Sequence, residues 1–234
     1  SQQRLIIEEL ATHQLSLLKT KKARKSKTTN KFKIKNNLHN NLLISLNFDL
    51  TEAQSRCIRE IHEDLSNTEP MLRLLQGDVG SGKTIVAVFS LIQAVENDFQ
   101  TAVMAPTEIL ARQHLQNFTE YLNPLSIQIA FLSGSQNTQE RREQLELIES
   151  GKAKVIIGTH ALFQESVNFN NLSLVIIDEQ HKFGVHQRLS LSQKANKTPH
   201  QLVMTATPIP RSLTMSAYAD LDTSVIDELP PGRQ

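Results

Sequence analysis

Residues Leu74 to Asn97 read LLQGDVGSGKTIVAVFSLIQAVEN: an apolar run, a glycine-rich turn, and a longer apolar run with helical spacing. The turn, Gly77-Asp78-Val79-Gly80-Ser81-Gly82-Lys83-Thr84, matches GxxxxGK[ST] in full and has the strand, loop and helix context that this pattern requires. The glycines let backbone amides turn inward around β- and γ-phosphates, the next helix presents its positive N-terminal end, and Lys83 adds a point charge. The Thr84 hydroxyl is suited to hold Mg²⁺. All eight residues are therefore candidate ligands of a nucleotide.

Outward from this turn, apolar runs alternate with helical patterns. MLRLLQ, TAVMAP and IQIAFLSG are separated by IVAVFSLIQAVEN and EILARQHLQNFTEYL, and then TQERREQLELIESG leads to KVIIGT, LVIIDE and QLVMTA. Uninterrupted short apolar runs of this kind are strands buried on both faces, so the expected fold is α/β, a mostly parallel sheet flanked by helices. Ligands of such sheets sit at the carboxyl ends of the strands. There LVII ends in Asp178-Glu179-Gln180-His181. An acid at a strand tip beside a phosphate loop can hold Mg²⁺ through water and its neighbour can orient the attacking water, so Asp178 is assigned to the metal and Glu179 to the water.

Upstream, Phe48-Asp49-Leu50-Thr51-Glu52-Ala53-Gln54 admits two readings. Gln54 can read an adenine edge with Phe48 or Leu50 packed on the ring, or Thr51 and Gln54 can form a capping box at a helix start. The single cysteine, Cys57, excludes a disulfide framework and reads as a small core residue. The opening RLIIEELATHQLSLLK has the stripe of an amphipathic helix with no core of its own to face. Lys19 to Lys35 then holds nine Lys or Arg and no acid, leaving 16 basic against 24 acidic residues elsewhere. Such a block is either a solvated linker or a phosphate-binding patch. Residues 1–41 are accordingly expected to be an N-terminal helix and basic linker, and residues 42–234 the compact lobe. No apolar run reaches the roughly 18 residues needed to span a bilayer, and the charged start is no signal peptide, so a soluble, cytoplasmic protein is expected.

The phosphate loop, DEQH, Thr205-Ala206-Thr207-Pro208 and Ala105-Pro106-Thr107-Glu108 occur in the order seen in superfamily 2 helicases, whose first motor lobe has a RecA-like fold. LLQGDVGSGKT, MAPTEILARQH, GTHALFQ, VIIDEQHKFGVHQR, MTATPIPR and DLDTSVIDELPPGR narrow the set. Together they resemble the RecG family of bacterial ATP-dependent DNA helicases.

That resemblance implies ATP binding by Gln54, with Phe48 beside it, and by Gly77, Asp78, Val79, Gly80, Ser81, Gly82, Lys83 and Thr84. It places Mg²⁺ at Thr84 and Asp178, catalysis at Lys83, Asp178, Glu179 and His181, and coupling of nucleotide state to DNA grip at His181, Thr205 and Thr207. DNA contacts would come from Pro106, Thr107, Arg112, Ser133, Gly134, Thr159 and His160, sequence-independent holds on phosphates. Branched DNA, such as forks and Holliday junctions, is the implied substrate, and the protein is expected to act as a monomer. A second RecA-like lobe and a wedge domain of the same full-length chain would complete the machine, and without them these residues should hydrolyse ATP very slowly. The rivals are a related superfamily 2 translocase and a phosphate-loop NTPase that does not act on nucleic acid.

Overall fold

The computed structural model describes residues 27–178, 194–206 and 221–229. Within them the helices are α1 (Asn37–Ser45), α2 (Glu52–Leu65), α3 (Lys83–Glu96), α4 (Glu108–Leu122) and α5 (Thr138–Glu149). The strands are β1 (Leu72–Gly77), β2 (Gln100–Met104), β3 (Ile129–Leu132), β4 (Val155–Gly158), β5 (Leu172–Asp178), β6 (His200–Thr205) and β7 (Asp222–Ile226). They form one sheet in the order β3-β4-β2-β5-β6-β1-β7, and every pairing in it is parallel.

Alternation along the strands feeds two cores, one on each face. Leu174 and Ile176 of β5 join Val103, Leu202 and the apolar faces of α2, α3 and α4 on one side. Val175 and Ile177 point the other way, to Met104, Leu132, Ile156 and Ile148 of α5. This is the period of two that puts successive side chains on opposite faces. Helix α3 is buried from Ile85 through Ala94, because the sheet covers one side while α1 and α2 pack on it from outside. An apolar surface all round suits that central place.

Strand β7 was not expected from the sequence. Its burial alternates, with Ser224 and Ile226 covered and Thr223 and Val225 open, as an edge strand buried on one face requires. A serine at an inward position hides such a strand from a search for apolar runs. Ser224 is held there by the Arg73 guanidinium at 2.9 Å and by Glu60 of α2.

Packing against the lobe also involves residues N-terminal of residue 42. Phe32, inside the basic stretch, is fully buried, stacked on Phe99 at 5.0 Å and set edge-on to His200 at 4.9 Å. The Phe32 amide donates to Leu65 O at 2.9 Å, and Asn30 Nδ2 donates to Ser173 Oγ at 2.8 Å. Lys35 Nζ donates to Glu96 O at 2.6 Å, where a cation meets the negative end of α3. Charge counting had masked an apolar anchor, since one phenylalanine among lysines leaves a block that still reads as linker. The remainder of that block and the opening amphipathic segment, residues 1–26, lie outside the described residues.

Candidate nucleotide site and strand-end loops

The phosphate loop leaves β1 and enters α3 directly. Gly80 and Gly82 take φ of 85° and 87°, backbone that glycine adopts without strain. At Gly82 the need is double, because a Cβ there would collide with the Gln54 amide nitrogen. Gly82 is also the N-cap of α3 and supplies no side-chain cap, so the first turn directs its amides toward the loop. Lys83 folds back on the loop, donating to Gly77 O at 2.6 Å and Asp78 O at 2.9 Å.

Gln54 connects this loop to α2, and both cap hydrogen bonds expected of Thr51 and Gln54 are present. Gln54 Oε1 accepts from the Thr51 amide at 3.0 Å, Thr51 Oγ1 accepts from the Gln54 amide at 3.1 Å, and Gln54 Nε2 donates to Ser81 O at 2.9 Å. The Gln54 side chain is buried, whereas Phe48 upstream is 46% exposed. The capping-box reading therefore holds in the structure, with the phosphate loop as a third partner that the sequence did not indicate. Cys57, one turn on, is buried and outside any disulfide, its thiol donating to Val225 O at 3.5 Å, and desolvation pushes that thiol up to about 11.

Sheet register assembles the rest. Gln76 of β1 pairs with Thr205 of β6, and Met204 of β6 pairs with Asp178 of β5. The Thr205 tip thus lies between the phosphate loop and Asp178, all at the carboxyl edge. Asp178 is bound by a residue that sequence reasoning passed over: His114 Nε2 donates to Asp178 Oδ2 at 2.7 Å. His114 was nevertheless legible as an anomaly. The inward stripe of α4 runs Ala111, His114, Phe118, Leu122, and only His114 is polar there. Glu179, His181 and Thr207 lie outside the described residues.

Whether these residues suit a magnesium nucleotide can be judged from their chemistry. An ammonium, an uncapped helix start and the buried Ser81 Oγ, which has no hydrogen-bond partner among the described residues, suit a polyphosphate. No cluster of three or more His, Cys, Asp or Glu occurs among the described residues. Mg²⁺ needs none, since it binds through one or two protein oxygens, phosphates and water. Thr84 at the head of α3 and Asp178 are the oxygens at hand, and they fit.

The other half of the carboxyl edge belongs to β2, β4 and β3, which are neighbours. Pro106 and Thr107 follow β2, Ser133 and Gly134 follow β3, and Thr159 and His160 follow β4. Thr107 caps α4, accepting from the Leu110 amide at 3.3 Å. Arg112 pairs with Glu108 at 2.8 Å and lies over the Phe131 ring at 5.3 Å. Ser135 and Arg112 beside Glu108 hold its carboxyl below the usual carboxylate range. Ser133 and Thr159 are buried, so their hydroxyls are turned from solvent, while Thr107, Arg112, Gly134 and His160 are exposed. The topology brings all seven to one rim.

A glycine loop between the first strand and an uncapped helix, facing an acidic tip two strands away in an all-parallel sheet, is the RecA-like phosphate-loop arrangement. The DEAD/DEAH box helicase profile matches residues 51–216, well over half of the chain, and the chain belongs to that family. It is 53% identical to the ATP-dependent DNA helicase RecG of Escherichia coli (strain K12), an alignment covering 100% of this chain and 34% of that protein. With the RecG of Aquifex aeolicus (strain VF5) it shares 49% identity over 99% of this chain and 29% of that one. A solved structure of RecG bound to a three-way DNA junction superposes with a TM-score of 0.88 at 44% identity, covering 99% of this chain and 31% of that chain. The DEAD-box helicase Mss116 bound to ssRNA and UDP-BeF shares the fold, with a TM-score of 0.61 at 16% identity over 82% of this chain and 42% of that one. The chain thus spans about a third of the length of the curated RecG proteins it matches. No helix among the described residues is long and apolar enough to cross a membrane.

Proposed function

We propose that these residues are the ATP-binding motor lobe of a DNA helicase that remodels branched DNA, such as replication forks and Holliday junctions, in recombination and repair. The observation that carries this reading is the division of one sheet edge. The tips of β1, β6 and β5 gather the phosphate loop, Thr205 and Asp178, while the adjoining tips of β2, β4 and β3 gather the seven residues expected at DNA phosphates. ATP and Mg²⁺ are the proposed cofactors. Lys83 and the α3 amides would hold the phosphates, Thr84 and Asp178 the metal, and Glu179 the attacking water. Mg²⁺ when bound supplies charge neutralisation on the phosphoryl oxygens. His181, Thr205 and Thr207 would carry the nucleotide state toward the DNA rim. A second RecA-like lobe and a wedge domain are the proposed partners within the full-length protein, which would work as a monomer in the cytoplasm.

In the full-length protein, Lys83→Ala should abolish ATP turnover while fork binding, measured by mobility shift, stays largely intact. Loss of both together would contradict this division of labour. Stimulation of the intact ATPase by forked DNA separates this reading from an NTPase that does not act on nucleic acid, in which DNA changes nothing. The 234 residues alone are expected to bind ATP weakly and to turn it over very slowly, and robust DNA-stimulated turnover by them would count against the proposal.

A further inference from the structure

His114 occupies a core position of α4 that an apolar side chain would fill, between Ala111 and Phe118 on the buried stripe. Its Nε2 donates to Asp178 Oδ2 at 2.7 Å, with the two side chains only 11% and 15% exposed. Its other nitrogen, Nδ1, is buried without a hydrogen-bond partner among the described residues. Burying an imidazole with one nitrogen unsatisfied costs stability, and packing alone gives no return for it. The ring is also fixed in place, edge-on to Phe118 at 6.0 Å. What this arrangement achieves is to hold one oxygen of Asp178, and so to select one orientation of the carboxylate at the end of β5.

We propose that His114 is a positioning residue: it fixes the Asp178 carboxylate for binding of the magnesium nucleotide, and does so from the helix that Thr107 caps at the opposite half of the sheet edge. This rests on the reading of Asp178 as a magnesium ligand. Carboxylates that serve metals are themselves held by hydrogen bonds, and loss of such a partner typically weakens metal affinity or activity by about 10- to 100-fold. Because His114 shares α4 with Thr107 and Arg112, any displacement of that helix by DNA is delivered to Asp178 through one hydrogen bond. Thr107 lies two helical turns before His114, so a single rigid element spans the two halves of the edge.

The test uses the full-length protein as wild type, His114→Leu, His114→Gln and Asp178→Asn. Binding of a fluorescent ADP analogue is followed by anisotropy against MgCl₂ and in EDTA, beside kcat and KM for ATP. His114→Leu should raise the Mg²⁺ concentration for half-maximal nucleotide binding by about tenfold and leave binding in EDTA unchanged. His114→Gln, whose amide nitrogen reaches a similar distance, should restore most of the loss. Should His114→Leu fail to fold, His114→Asn, which keeps a donor too short to reach Asp178, takes its place. An unchanged Mg²⁺ requirement, equal loss in the Leu and Gln variants, or a parallel loss of binding in EDTA would overturn the role of His114. Asp178→Asn tells the two levels apart. If it raises the Mg²⁺ requirement and His114→Leu does not, only the His114 assignment falls, whereas if it too has no effect, the reading of Asp178 falls first.

Discussion

The Glu228 carboxylate accepts a hydrogen bond from the Ala53 amide at 3.1 Å, joining residues 175 apart in the chain at the first turn of α2. One residue earlier, Asp227 pairs with Arg56 at 2.8 Å, and Arg56 also donates to Val225 O at 2.9 Å. The segment leaving β7 is thereby fastened beside Gln54, whose amide holds the phosphate loop. An acidic group at a helix start satisfies an orphan amide and meets the positive end of the dipole. Glu228→Gln keeps an acceptor but loses the charge, and Glu228→Ala loses both. Thermal melting should fall by roughly 2 °C in the alanine variant and by less in the glutamine variant. Equal melting temperatures for all three would show the contact to be energetically idle.

Gly82→Ala should be far more damaging than its single methyl suggests. The backbone there has φ of 87°, and the added Cβ meets the Gln54 amide nitrogen. Strain of this kind costs about 1–3 kcal/mol, and displacing Gln54 releases Ser81 O as well. Nucleotide affinity in a titration should drop at least tenfold. Gln54→Ala should lose a smaller part of it, because the loop keeps its glycines; an alanine at 82 that binds nucleotide normally would exclude the tight Gln54 contact.

Acid should weaken the fold through its buried histidines. Desolvation holds His200 at about 4 and His62 at about 4, against 6.5 for an open imidazole. His200 is satisfied as the neutral ring, Nε2 donating to Asn30 O at 2.8 Å and Nδ1 accepting from the Met71 amide at 3.1 Å. A proton on Nδ1 would face that N–H. As pH falls below 6.5 the unfolded chain takes up protons that the folded chain refuses, so stability is full above about 6.5 and declines until about 4. A shift of this size corresponds to roughly 3 kcal/mol per histidine at the acid end. Urea midpoints at pH 7 and pH 5 measure it, and His200→Gln should remove about half of the difference, leaving the part due to His62.

Phe32→Ala should destabilise the lobe by about 3–5 kcal/mol, the usual cost of emptying a buried phenylalanine site. Replacing Lys31 or Lys33, exposed neighbours in the same basic block, should change stability little. Denaturant unfolding of the three variants compares them directly. If all three behave alike, residues 29–36 are not part of the packed body.

Much of this molecule is legible in its sequence. The glycine loop, the apolar runs and the strand-tip Asp178 follow from local chemistry, because phosphate binding, strand burial and helix capping each need particular residue types at short, fixed spacing. Thr51 with Gln54 shows where such reading stops. The cap was readable from four residues, but the bond from Gln54 to Ser81 was not, since it depends on how α2 is laid against α3. The same holds for β7, which alternates too weakly to announce itself, and for Phe32, whose partners Phe99 and His200 lie 67 and 168 residues further on. The sequence by itself determined the class of fold, the nucleotide loop and the list of candidate residues. Only the tertiary structure decided that the phosphate loop, Thr205 and Asp178 share one half of the sheet edge and the loops after β2, β4 and β3 the other, that Glu228 returns to α2 and that His114 meets Asp178. Contacts between distant segments depend on sheet order and helix placement, which the whole chain sets together and no single stretch encodes.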